Sequence, residues 1–258
     1  MKINANQYNP NFRVRPLAQW RCKTLNNRTK NITIASFEKK DIKFVQNFIE
    51  KANSVCSKDK LKQDLISIAL RTIRDILETN DKNFDKVKMF IALHEDIPCG
   101  LLVGNIPKRV YDSDWICYSS RHNFAKNETE LDWLVTWQPR GKARIKGVGK
   151  ALVGEFYRTV KKDKFRDVFV RSELPENSYA LKFYECVGFE QLGNKRLKLF
   201  NKNSAQYAMN DYTESNDDTI PMLVTRKVLQ EQAEYLSKKM ARQEFLSTSV
   251  DAEELINI

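Results

Sequence analysis

Arg144, Lys146, Gly147, Gly149 and Lys150 fall within seven residues, between an apolar run and a helical pattern. The apolar run, Leu131-Asp-Trp-Leu-Val-Thr-Trp137, reads as a buried strand, and Ala151-Leu-Val-Gly-Glu-Phe-Tyr157 has helical spacing. The start of a helix offers unpaired N–H groups and the positive end of the helix dipole. Those two features together can hold a pyrophosphate. Glycine has no Cβ, so Gly147 and Gly149 let the backbone approach phosphate oxygens. Ile145 and Val148 complete the turn, and Lys142, Arg144, Lys146 and Lys150 surround it with positive charge. The plain structural alternative is a helix start whose small residues serve packing.

A second segment carries the same chemistry further. Asp167-Val-Phe-Val-Arg171 reads as a strand, Pro175 marks a turn, and Asn177-Ser-Tyr-Ala-Leu-Lys-Phe-Tyr184-Glu-Cys-Val-Gly-Phe189 reads as a helix. The order and spacing of the two segments resemble the GNAT superfamily of N-acetyltransferases. That family carries an Arg/Gln-x-x-Gly-x-Gly/Ala loop and, further on, Asn-x-x-Ala-x-x-x-Tyr-x-x-x-Gly-Phe. The resemblance is specific from Glu130 to Phe189 and looser from Ile32 to Val103 and Thr219 to Leu229. It is absent at both ends. One departure is the loop: Pro139 stands five residues before Arg144, with Arg140-Gly141-Lys142 between them. A register starting at Arg140 would lack the following glycine.

The resemblance implies an α/β GNAT fold, with a mixed, mostly antiparallel sheet of about six or seven strands flanked by helices. It implies acetyl-CoA as co-substrate, with its pyrophosphate on the loop from Arg144 to Lys150. It implies a bulge that frees backbone N–H groups at Val135, Thr136 and Trp137 to polarise the thioester carbonyl. Asn177 is expected beside the pantetheine arm, or as a helix cap. Tyr184 is expected to protonate the leaving thiolate, for which a phenol with a pKa near 10 is suited. Strand alternation sets Glu130, Asp132, Leu134 and Thr136 on one face. A carboxylate on this strand is a common base in that family, so the resemblance makes Glu130 and Asp132 the candidates, acting directly or through water; the alternatives are that they bind a cationic substrate or simply face solvent.

The flanking elements must position these residues. A short β-rich run covers Ile32–Phe37, and a helix pattern begins at Lys40, with Ile42, Phe44, Val45, Phe48 and Ile49 as its apolar residues. A second helix is expected over Asp59–Glu78. Strands are expected at Val87–His94 and Cys99–Pro107, joined through Glu95-Asp-Ile-Pro98. Lys108–Asn127, with Tyr111, Trp115, Tyr118 and Phe124, reads as an insertion on the substrate side. Strands near Arg196–Phe200 and Ile220–Lys227 precede a partly apolar helix over residues 229–247. The expected division is an irregular basic arm over 1–31, the acetyltransferase domain over 32–229, and a C-terminal helix and tail over 230–258.

The chain has 258 residues, a net charge of +11 and 41% hydrophobic residues, enough for a packed core. No apolar run approaches the roughly 20 residues that span a bilayer. Five scattered cysteines and two histidines form no ligand spacing, so no metal site is expected. The expected location is the cytoplasm, with a bacterial effector secreted into a host cell as the alternative. The charge suits anionic partners: CoA, an acidic protein, or RNA held by the arm, where no acidic residue precedes Glu38. The C-terminal helix is expected to dock on the domain or to form a homodimer. The acceptor amine stays open among proteins, small amines and aminoacyl-tRNA. A CoA-binding or nucleic-acid-binding module without catalysis is the alternative function.

Overall fold

A computed structural model of the chain describes residues 15–53, 67, 70, 87–105, 128–137, 144–162, 167–173, 179–191 and 219–245. Strand β1 (Arg15–Thr24) buries Ala18, Trp20, Cys22 and Thr24 and exposes Arg21 and Lys23 between them. That period of two defines a strand with one face in the core. It returns as β2 (Thr29–Phe37), which buries Ile32 and Ile34 on the same side. A 3-10 turn at Lys39–Asp41 leads into α1 (Ile42–Asn53), whose Ile42, Val45 and Ile49 are buried.

Strands β3 (Val87–His94) and β4 (Ile97–Asn105) form a hairpin. Its turn residues, Glu95 and Asp96, have φ of 50° and 60°. Two successive positive φ values suit the right-handed twist of the strands they join. Next come β5 (Glu128–Thr136), the short β6 (Ile145–Lys146) and α2 (Val148–Lys162). They are followed by β7 (Asp167–Glu173), α3 (Tyr179–Cys186), β8 (Glu190–Gln191) and β9 (Thr219–Val224). Helix α4 (Arg226–Lys239) and β10 (Gln243–Glu244) close the described chain.

One sheet collects the strands among the described residues in the order β10-β1-β2-β3-β4-β5-β7-β9-β8, with β6 on the end of β1. Every pairing is antiparallel except β5 with β7. Seven strands have six residues or more, as expected, and β6, β8 and β10 add two residues each. Two-residue strands show no period, so no sequence pattern announces them.

Helix α2 packs on one face through Ala151, Leu152, Val153, Phe156, Tyr157 and Val160. Helix α1 packs on the other, over Met89, Ile91, Leu101 and Val135. Each such side chain, taken fully out of water, contributes about 1.5–3 kcal/mol.

The chain ends differ from the expected division. Residues 15–24 are not an irregular arm but a strand between β10 and β2. The C-terminal helix is not an appendage either. Leu229, Ala233 and Leu236 of α4 are buried in the core that α2 shares. The apolar stripe that suggested a homodimer is thus covered by the chain's own domain. Of the helix expected over Asp59–Glu78, Ser67 and Leu70 are described, and both are helical. The insertion at Lys108–Asn127 and the strand near Arg196–Phe200 lie outside the described residues.

Candidate active site

Strand β5 carries a bulge. Trp133 lies opposite Val103 and Leu131 opposite Gly104, so Asp132 is the extra residue. Beyond the bulge the ladder is regular to the strand's end, where the Trp137 N–H donates to the Cys99 carbonyl at 3.0 Å. Bonded and non-bonded pairs alternate in an antiparallel ladder. Counting back from Cys99 and Trp137, the pair Leu101/Val135 is bonded, and Gly100/Thr136 and Leu102/Leu134 are not. Leu134 and Thr136 therefore turn their backbone N–H and C=O groups away from β4. On that side β7 pairs only with Glu128, Thr129 and Glu130. The two strands part after Glu130, and the backbone of Leu134 and Thr136 faces the opening.

The start of α2 belongs to the same region. Gly147 has φ +94° and accepts the Ala151 N–H at 2.9 Å, which makes it the helix cap. The N–H groups of Val148, Gly149 and Lys150 then lack partners within the helix. Arg144 is exposed just before, and the Lys150 ammonium donates to the Cys186 thiol at 3.0 Å. Lys146 pairs directly with Lys23 and projects to the face away from α2.

Helix α3 supplies the third wall. A Cβ on Gly149 would lie 3.2 Å from the Phe183 ring and 3.8 Å from Thr136 Cγ2. The end of β5, the start of α2 and the middle of α3 therefore converge at Gly149. Beside Phe183, the Tyr184 ring is 8% exposed and packs edge-on against Phe183 and Phe189, with centroids 5.5 and 5.4 Å away. Tyr157 lies beneath; its hydroxyl donates to the Val187 carbonyl at 3.0 Å. Burial, with a smaller effect of Tyr184, holds the Tyr157 phenol well above its ordinary pKa of 10. Tyr157 therefore stays a hydrogen-bond donor that anchors the end of α3.

No protein-family model matches the chain, and no curated protein does. Solved structures do. An uncharacterized protein from Bacillus halodurans matches over 86% of this chain and 98% of its own, with 11% identity and a TM-score of 0.50. A putative acetyltransferase of the GNAT family from Desulfovibrio desulfuricans covers 75% and 99%, with 15% identity and a TM-score of 0.44. The PaiA N-acetyltransferase from Thermoplasma acidophilum, in complex with coenzyme A, covers 75% and 98%, with 12% identity and a TM-score of 0.43.

The chain shares the fold of the Bacillus halodurans protein.

Within this fold the expected site residues divide. Thr136, Gly147, Val148, Gly149 and Lys150 come together around the opening, whereas Tyr184 is buried against Phe183 and Phe189. Ile145 faces the α2 side, packed against the core. Val135 and Trp137 are corrected: their N–H groups point to β4, and the Trp137 N–H is bonded there. Leu134, like Thr136, turns its N–H away from β4. Hydrogen-bond parity follows from register with β4, which residue types alone do not reveal. The only available signal was that Leu134 and Thr136 share a parity.

The bulge also breaks the expected alternation. Leu131 joins Leu134 on the α2 side, while Trp133, Val135 and Trp137 face α1. The inserted Asp132 shifts the phase, so alternation counted before the bulge does not carry past it. The side chains of Glu130 and Asp132, and all of Lys142 and Asn177, lie outside the described residues.

Proposed function

We propose that this chain is an N-acetyltransferase that moves an acetyl group from acetyl-CoA to an amine. One observation carries the reading. Where β5 and β7 part, Thr136 of β5, the capped start of α2 and Phe183 of α3 meet around Gly149.

That cradle fits the co-substrate. The free N–H groups at Val148–Lys150, with Arg144 and Lys150, suit a pyrophosphate. Gly149 leaves room beside Phe183 that any side chain would fill. The Leu134 and Thr136 amides would bond the pantetheine arm and polarise the thioester carbonyl. The amine nitrogen attacks the carbonyl carbon, a C–N bond forms and the C–S bond breaks. The amine loses one proton, to Glu130 or Asp132 directly or through water. The thiolate gains one, from the Tyr184 hydroxyl. Asn177 would steady the pantetheine arm.

Labelled acetyl-CoA, offered with panels of protein, small-amine and aminoacyl-tRNA acceptors, tests the reading. The expected result is acetyl transfer to one class, falling about 100-fold or more in Tyr184→Phe, as for a lost general acid. CoA release no faster than spontaneous hydrolysis, from a folded protein with every acceptor, would refute it. Tight CoA binding without transfer would leave a binding module on this fold.

A further inference from the structure

The sheet has a bare, basic corner. On β1, Arg21 and Lys23 alternate with the buried Trp20 and Cys22, so they project to the face away from α2. Helix α1 covers that face over β3, β4 and β5 but does not reach this corner, where the side chains are exposed. The register brings further polar residues onto it. Asn31 lies opposite Arg21, Thr29 opposite Lys23, and the exposed Gln243 of β10 opposite Gln19.

Its charge arrangement is unfavourable without a partner. Lys146 of β6 lies directly opposite Lys23, and both are exposed. Directly opposed side chains have Cβ atoms about 4.5–5.5 Å apart, and like charges there destabilise the pair. Arg21, two residues along the same face, adds a third cation. Among the described residues no carboxylate occupies a position on this corner, and none pairs with Arg21, Lys23 or Lys146. An anion placed between the two lysines would turn a repulsion into two attractions.

We propose that this corner is a docking surface for the phosphodiester backbone of single-stranded RNA. The chemistry selects that partner. Phosphate contacts come from Arg and Lys together with Thr, Asn and Gln, and this corner holds those types. A protein partner would need an apolar or aromatic anchor at its centre; the exposed apolar side chain nearest this corner, Leu25, stands in the turn beyond β1, past the end of the ladder that carries the cations. A flat corner of a sheet cannot enter a duplex groove, which admits a helix or a two-stranded ribbon. Thr29, Asn31 and Gln243 each carry both a donor and an acceptor, which matches the ribose 2′-hydroxyl. The surface is separate from the thioester site and its test does not depend on acetyl transfer.

The test is fluorescence anisotropy of a labelled oligouridylate against salt concentration. Each phosphate neutralised on a single strand contributes about 0.7 to the slope of log affinity against log salt. Three cations predict a slope of about −2. Arg21→Gln/Lys23→Gln should weaken binding and flatten the slope by about 1.4. The charge-matched variant Lys161→Gln/Lys227→Gln, on the α2 and α4 side, should keep the slope. Circular dichroism confirms folding, and the two single variants, each expected to lose about 0.7, serve if the double one misfolds. The proposal falls if the folded Arg21/Lys23 variants keep affinity and slope. It falls equally if oligothymidylate or polyglutamate binds as tightly as the RNA.

Discussion

The Cε of Met240 lies 3.2 Å from where a Cβ on Gly147 would stand. The last turn of the C-terminal helix thus forms the floor beneath Gly147. Its backbone is fixed there too, since the Arg21 N–H donates to the Met240 carbonyl at 2.8 Å. Cys22 completes the floor, with its sulfur 3.6 Å from the same point.

Met240→Ala should therefore weaken acetyl-CoA binding as well as stability. Removing a buried Met side chain costs about 2–5 kcal/mol when the cavity cannot collapse. Met240 is nearly buried, so the low end is expected. Met240→Leu should restore both quantities. Calorimetric titration of the two variants checks this, and unchanged affinity in a folded Met240→Ala would separate the floor from the loop.

Glu155 holds the same C-terminal segment from the other side. Its buried carboxylate accepts the Trp20 indole N–H at 2.8 Å and the Arg242 Nη2 at 3.3 Å, with Nε bonded as well. Burial opposes the Arg242 charge, but the bonds to Glu155 and, after it, Glu244 outweigh it, and its pKa ends above the ordinary value. Glu155→Gln should cost about 3 kcal/mol, because it leaves a buried guanidinium without its main partner. Glu155→Met/Arg242→Met should recover much of that loss. Urea denaturation of the single and double variants gives the comparison.

Alkali should loosen the fold before it affects most surface groups. Burial pushes the Cys22 thiol up to about 12, and burial with a smaller effect of Cys22 raises Cys99. Tyr157 is raised too. For an acid raised by folding, stability is full below its unfolded pKa and is lost as pH climbs toward the folded one. Tm should therefore hold steady to about pH 9 and fall steadily toward pH 12. Cys22→Ala should shallow that fall; an equal fall in the variant would assign it to other groups.

The sequence made the loop legible because its chemistry and its secondary structure coincide. Arg144 to Lys150 join cations, glycines and a helix start, and each signal reinforces the others. Val87–His94 was equally plain, since an apolar run ending in Glu95-Asp96 has few other readings. Strand β1 was not. Its period of two was present in Ala18, Trp20 and Cys22, but the intervening Arg21 and Lys23 made it look like part of a basic arm. The bulge at Asp132 was invisible because one extra residue changes phase without changing composition. Which amides of β5 face the opening depends on that phase and on pairing with Cys99, a residue far along the chain.

Acetyl-CoA binding by calorimetry, wild type beside Gly147→Glu, tests the central claim most directly. Gly147 sits at φ +94°, which an L side chain rarely adopts, and the new carboxylate would repel the pyrophosphate. The account predicts micromolar binding by the wild type and its loss in a folded Gly147→Glu. Absence of binding by the folded wild type, or equal binding by both proteins, would contradict it.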